Sequence, residues 1–76
     1  MPNDFEEVGQ RLRAYRLGRS MTAEDVAQQL GISRAAVYRL EKGEIVKIQI
    51  LSALSTLLDV SLPSMLGVGV EYYDNA

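Results

Sequence analysis

The chain has 76 residues, 47% hydrophobic content and a formal net charge of −2, so it is long enough for one small globular domain. It contains no cysteine and no histidine, which excludes disulfides and removes the commonest general base and transition-metal ligand. No apolar run reaches the roughly 18 residues that a membrane helix needs, and we expect a cytoplasmic protein with no membrane contact, no metal, no cofactor and no enzymatic activity.

The first predicted helix begins at Asn3 or Asp4, either of which can act as its N-cap, and continues to about Leu17. Its apolar residues recur at spacings of three and four, which places them on one face. The residues of this predicted inner face are Phe5, Val8, Leu12 and Tyr15. Gly18 and Ser20 are expected to end the helix.

Two short helices are predicted next. Thr22 followed by Asp25 three residues later indicates a capping box at the start of the second helix. Gly31 predicts its end, because glycine accepts the left-handed conformation that stops a helix. Ser33 is the predicted cap of the third helix, which ends at Lys42-Gly43. The residues expected to face the core are Val26, Ala27, Leu30, Val37 and Leu40.

The fourth predicted helix covers about Lys47 to Leu58, and Ser61 caps a short fifth helix that extends to Leu66. The predicted inner face of the fourth helix consists of Ile48, Leu51, Leu54, Ser55 and Leu58. The predicted fold is therefore all-α, a bundle of five short helices formed by residues 1–67. Residues 68–76 show no helical period and are expected to form a tail, which either pairs across a dimer or leads into a further domain.

A second apolar line on the fourth helix, called the α4 line below, consists of Ile50, Ala53 and Leu57. These residues lie at spacings of three and four and are rotated away from the inner face. A helix that is apolar on two sides must bury the second side elsewhere. Two explanations remain open: the tail covers the α4 line, or the line forms a two-fold homodimer interface.

Charge is distributed unevenly along the chain. All eight basic residues lie between Arg11 and Lys47, a segment with four acidic residues and a net charge of +4. Residues 1–10 and residues 48–76 each carry a net charge of −3. This asymmetry favours a basic face in the middle of the chain, although the same arginines would also suit solvated helix surfaces.

The second and third helices have the sequence of a helix-turn-helix unit. Ala27 is small where two helices approach closely, Gly31 makes the turn, and Ile32 fills the angle between the helices. The exposed positions of the third helix, called the α3 face below, are Ser33, Arg34, Ala35, Tyr38 and Arg39. An α-helix fits the major groove of DNA, and a guanidinium matches the two acceptors of guanine.

Residues 8 to 66 resemble the Xre/Cro family of phage-repressor-like DNA-binding domains. The resemblance depends on the sequences Leu30-Gly31-Ile32-Ser33 and Leu40-Glu41-Lys42-Gly43 and on the stretch from Leu57 to Leu66. It implies the lambda-repressor-like fold. It also implies a bacterial or phage transcriptional regulator that binds a palindromic site in double-stranded DNA as a homodimer.

The resemblance further implies roles for individual residues. Arg34 and Ala35 would face base edges, with Arg39 one turn further along the helix. Ser33, Tyr38 and Lys42 would lie near phosphates, although Tyr38 could equally be partly packed. The complete set of implied DNA-binding residues is Ser33, Arg34, Ala35, Tyr38, Arg39, Lys42 and Lys47. Arg16 and Glu41 would form an internal ion pair that orients the first helix against the third.

Two positions depart from the family pattern and indicate modest binding to the DNA backbone. Ala23 stands where the family often has a phosphate-contacting glutamine, and Lys47 is the only basic residue in the segment after Gly43. The alternative to DNA binding is a protein-interaction module that uses the same fold, since fold alone does not determine function.

Overall fold

The computed structural model describes residues 4–44 and 47–67, which form five α-helices and contain no strand. The helices are α1 (Asp4–Gly18), α2 (Ala23–Leu30), α3 (Arg34–Glu41), α4 (Ile48–Leu58) and α5 (Leu62–Leu66). This architecture confirms the predicted all-α bundle of five short helices. No helix within these ranges is long and apolar enough to cross a membrane. The predicted N-cap Asn3 and the predicted tail, residues 68–76, lie outside the described residues.

Side-chain caps begin three of the helices, as the sequence predicts. The Thr22 hydroxyl accepts from the Asp25 N–H at 3.0 Å, and the Asp25 carboxylate accepts from the Thr22 N–H at 2.8 Å. The bond from the Thr22 backbone is the main cause of the lowered pKa of Asp25. The Ser33 and Ser61 hydroxyls each accept one backbone N–H in the first turn of α3 and α5. These bonds satisfy donors that have no partner inside the helix.

The core lies where α1, α2 and α3 meet α4 and α5. Its buried hydrophobic residues are Val8, Leu12, Ala23, Val26, Ala27, Val37, Leu40, Leu51, Leu54, Leu58 and Met65. Leu58 and Met65 are completely excluded from solvent. The helix α4 packs against α2 and α5, and α5 packs against α1. The short helix α5 therefore packs against both α1 and α4.

Two expectations about the starts of helices were wrong. Phe5 and Ile48, both predicted to face inward, are 53% and 56% exposed. Each lies in the first turn of its helix, where the helical period identifies a face but not whether a neighbouring helix extends far enough to cover it. The end of α1 is as expected: the helix ends at Gly18, and Ser20, two residues later, adopts the left-handed conformation with a φ of 57°.

Two glycines allow α1 to approach the end of α3. A Cβ on Gly9 would overlap the backbone carbonyl of Glu41 and would lie 2.8 Å from that of Leu40. A Cβ on Gly43, which has a φ of 79°, would lie 2.6 Å from the backbone carbonyl of Phe5. Direct contact between backbones therefore sets the distance between α1 and the C-terminal end of α3.

Candidate nucleic-acid interface

The α2–turn–α3 unit is built around a left-handed glycine. Gly31 has φ and ψ values of 68° and 32°, and its N–H bonds to the carbonyl of Ala27. The next N–H, from Ile32, donates to the same carbonyl at 3.0 Å, and the Ile32 side chain packs partly buried against the core. Ala27 itself is buried, as expected for a residue between two closely packed helices. This turn directs the first residues of α3 away from the core.

The α3 face is exposed along its whole length. Every predicted DNA-binding residue is solvent-exposed: Ser33, Arg34, Ala35, Tyr38, Arg39, Lys42 and Lys47. The opposite side of α3 carries the buried residues Val37 and Leu40. The structure thus brings the predicted residues of α3 together on one surface, while Lys47 immediately precedes α4.

Four cations in and after α3 have no partner among the described residues. No hydrogen bond or ion pair within residues 4–44 and 47–67 involves the side chains of Arg34, Arg39, Lys42 or Lys47. The first turn of α3 also contains no acidic residue. The positive end of the helix dipole and the guanidinium of Arg34 therefore have the same sign at one exposed end. An anionic ligand would be attracted to this surface.

An ion pair between Arg16 and Glu41 connects α1 to the end of α3. Arg16 Nε donates to Glu41 Oε2 at 2.6 Å, and Arg16 Nη2 donates to Glu41 Oε1 at 3.1 Å. Arg16 Nη1 also donates to the carbonyl oxygen of Met21 at 3.0 Å. Both side chains of the pair are more than 90% buried. This bidentate geometry fixes the orientation of the guanidinium and, through it, the angle between the two helices.

The environment of Arg16 keeps it charged. The hydrogen bonds to Glu41 raise the pKa of Arg16, against the opposing effect of burial. Tyr38 also raises the pKa of Arg16. Tyr38 is 47% exposed. The structure therefore leaves both predicted roles of Tyr38, partial packing and contact with a ligand, compatible with its position.

The structure places Ala23, the first residue of α2, in the core, where it is 3% exposed. The described residues contain no group of three or more side chains that could hold a metal ion. The chemistry available at this surface is therefore cationic and hydrogen-bonding.

Two residues that hold helices of the bundle together were missed by sequence reasoning. Gly9 shares the buried side of α1 with Leu12 and Arg16, and this spacing of three and seven residues is the signal that could have identified it. Arg19 donates hydrogen bonds to two carbonyls at the end of α4, which lie 39 and 40 residues further along the chain. No local pattern signals a contact over such a distance in sequence.

Comparisons with known proteins identify the same helix-turn-helix unit and the same overall fold. The chain matches the model of the helix-turn-helix family over residues 12–65. It is similar to the restriction-modification controller protein C.AhdI from Aeromonas hydrophila, with 30% identity, a TM-score of 0.75, and coverage of 82% of this chain and 96% of that one. It also shares its fold with the hypothetical transcription factor NHTF from Neisseria, with 19% identity, a TM-score of 0.76, and coverage of 100% and 92%. No curated protein matches the chain.

Proposed function

Because this chain belongs to the helix-turn-helix family, in its Xre/Cro branch, we propose that it is a DNA-binding transcriptional regulator. The observation that carries this proposal is a group of four cations without a protein partner among the described residues. Two of them, Arg34 and Arg39, lie on the α3 face, and Lys42 and Lys47 follow it. The opposite side of α3 is locked into the core, so the helix can enter a major groove as a rigid body. The family relation to a controller protein supports the same function.

Sequence-specific recognition is proposed to come from the start and middle of α3. Arg34 occupies the first turn, and Arg39 lies just over one turn later on the same exposed side. Each guanidinium can donate two parallel hydrogen bonds to O6 and N7 of guanine. The methyl group of Ala35 lies between them and leaves room for a base edge.

Contacts to the DNA backbone are proposed for the surrounding side chains, Ser33, Tyr38, Lys42 and Lys47. Ala23 stands where the family often has a phosphate-contacting glutamine, so one such contact is absent from the proposed set. With about two to four phosphates neutralised per protomer, the logarithm of affinity should fall with the logarithm of salt with a slope of about −0.9 per phosphate.

Selection of bound sequences from a random duplex pool tests DNA binding and reads the preferred site. Arg34→Ala should then lose about 1–3 kcal/mol of discrimination at one base pair, because a bidentate guanine contact has about that value. Arg13→Ala is the matched control, since Arg13 is exposed on α1 and makes no hydrogen bond or ion pair among the described residues. Equal weakening on all sequences would instead make Arg34 a phosphate contact.

The competing function is a protein-interaction module without affinity for DNA. The net charge of −2 and the absence of any charged residue in α4 favour it. A gel shift on nonspecific duplex at low salt separates the two functions. Failure of the parent protein to retain any duplex would reject the regulator and support the interaction module.

A homodimer that pairs through the α4 line is part of the proposal. Ala53 is exposed, while Ile50 and Leu57 are half-buried and pack partly against the core. Residues 48–67 contain a single charged residue, Asp59. A largely uncharged surface beside an apolar line suits a second copy of the chain better than it suits water. Two copies would place two α3 helices on a palindrome.

Leu57→Glu tests this interface. It should leave the monomer folded, shift the free protein toward monomer in sedimentation, and weaken binding to a palindrome much more than binding to one half-site. Ser52→Glu is the matched control, because Ser52 is exposed on α4 away from the α4 line. Unchanged self-association in Leu57→Glu would show that a dimer, if formed, uses another surface.

A further inference from the structure

Arg19, in the turn after α1, holds the C-terminal end of α4. Its Nε donates to the carbonyl of Leu58 at 2.7 Å, and its Nη2 donates to the carbonyl of Asp59 at 3.2 Å. Carbonyls in the last turn of a helix have no intrahelical partner, and they form the negative end of the helix dipole. The Asp59 residue itself is left-handed, with a φ of 54°. A guanidinium therefore occupies a site where the backbone direction changes sharply.

The same part of α1 also holds α3. Arg16 is only three residues before Arg19 and forms the buried ion pair with Glu41. The backbone between them continues into the turn, where the Arg19 N–H bonds to the carbonyls of Tyr15 and Arg16. A single turn of chain therefore carries two arginines, one bound to the end of α3 and one bound to the end of α4.

These two contacts make α1 the common reference for α3 and α4. Gly9 keeps α1 in backbone contact with the end of α3, and this contact fixes the position of α1 relative to α3. The helix α4 packs mainly against α2 and α5, and Arg19 is the side chain of the α1 region that bonds to its backbone. Loss of the Arg19 contact would leave the α1–α3 geometry intact and allow the C-terminal end of α4 to shift.

We propose that Arg19 is a positioning residue that sets the angle between α3 and α4 and thereby the separation of DNA half-sites that the dimer prefers. This inference rests on the proposed function, in which α3 contacts DNA and the α4 line pairs two copies. In such a dimer, a rotation of α4 relative to α3 displaces the two recognition helices from each other. The distance between half-sites then changes, while each α3 face remains unchanged.

The test uses palindromic duplexes in which the half-site separation changes one base pair at a time, with a single half-site for comparison. Arg19→Gln removes both donors of the contact, Arg19→Lys retains one cationic donor group, and Arg13→Gln is the control at an exposed arginine of α1. The parent should bind its best palindrome about a hundredfold more tightly than one half-site, since the second protomer binds at a raised effective concentration.

In Arg19→Gln, affinity for one half-site should stay within about twofold of the parent, while the preference for the best separation falls by about tenfold or moves to another separation. Arg19→Lys should recover part of the preference, and Arg13→Gln should retain all of it. Self-association of the free protein should be unchanged in every variant, because the α4 line is intact.

The inference is overturned if Arg19→Gln weakens binding to every duplex by the same factor. It is also overturned if the dependence of affinity on half-site separation is unchanged in a variant whose melting temperature equals that of the parent. If Arg19→Gln does not fold, Arg19→Lys is the test. An unaltered profile of half-site separation in folded Arg19→Lys, with the contact to the Asp59 carbonyl lost, also overturns the inference. Failure of the proposed function looks different, because the parent protein itself would then bind no duplex or show no advantage of a palindrome over a half-site.

Discussion

The surface around α3 and the surface around α4 and α5 differ sharply in charge. Residues 34–47 carry four basic side chains without partners among the described residues, whereas Asp59 is the only charged residue in the sequence of residues 48–67. The interiors differ in the same way. The buried side chains of Arg16 and Glu41 form an ion pair beneath the end of α3, while the buried side chains of α4 and α5 are all apolar. The end of α3 is thus held by a buried ion pair, whereas α4 is held by burial of its apolar side chains together with the hydrogen bonds from Arg19 to its last carbonyls.

The largest effect should come from breaking the polar support of α3. Arg16→Met or Glu41→Leu alone leaves one buried charge without its partner and should lower the free energy of unfolding by about 3–5 kcal/mol. The double variant Arg16→Met, Glu41→Leu removes both charges and should recover most of that loss. Urea denaturation followed by circular dichroism measures all three. Additive losses in the double variant would show that the pair does not act as a unit and would weaken the contrast between the two surfaces.

A smaller but sharply directed effect is expected at the contact between α1 and α3. Gly9→Ala should destabilise by about 1–3 kcal/mol, because a Cβ would overlap the backbone of Glu41, which cannot move aside as a flexible side chain could. Gly18→Ala, in the same helix, meets nothing within 4 Å and should stabilise by about 0.5–1 kcal/mol. The opposite signs in thermal melts are the prediction. Equal behaviour of the two variants would contradict the close approach of α1 to α3.

Backbone conformation alone should account for the next effect. At Gly31 there is open space for a side chain, so Gly31→Val should lose about 1–2 kcal/mol from the left-handed backbone only. Ser20 already has this conformation without being glycine, so Ser20→Gly should gain up to about 1 kcal/mol. Melting temperatures measure both. A melting temperature of Gly31→Val within a degree of the parent would rule out the turn geometry between α2 and α3.

The smallest effect concerns the start of α2 at low pH. The hydrogen bonds from Thr22 lower the pKa of Asp25 in the folded protein. The stability that these bonds contribute is therefore fully present above the pKa of Asp25 in the unfolded chain, about 3.9. It is lost as the pH falls through the lower pKa of the folded protein. Asp25→Asn should therefore lose stability less steeply below about pH 4 than the parent. Glu24→Gln, one residue earlier, is the control. An NMR titration of the Asp25 carboxyl at or above its ordinary pKa would contradict this.

Local signals predicted most of the fold. Thr22, Ser33 and Ser61 cap helices, and Gly31 ends one, through bonds and dihedral angles that involve a few neighbouring residues. The exposed α3 face was predictable for the same reason, because the alternation of buried Val37 and Leu40 with polar residues defines its opposite side. The pairing of Arg16 with Glu41, 25 residues apart, was available only through the family resemblance.

The features that could not be predicted depend on where separate elements end in space. The exposure of Phe5 and Ile48 reflects the extent of neighbouring helices, which helical periodicity does not contain. Arg19 meets α4 through a contact that only the assembled bundle creates.

The exposed α3 face has a consequence for how proteins of this kind diversify. Arg34, Ala35 and Arg39 contribute neither to the core nor to any hydrogen bond or ion pair among the described side chains. Substitutions at exposed positions without such roles usually change stability by less than about 0.5 kcal/mol. Under the proposed function, duplicated copies of the chain could therefore exchange these three residues and acquire new operator preferences in a few mutational steps, without passing through an unfolded intermediate sequence. The scaffold beneath them, from Gly9 to the Arg16–Glu41 pair, would stay constant while the regulated genes change.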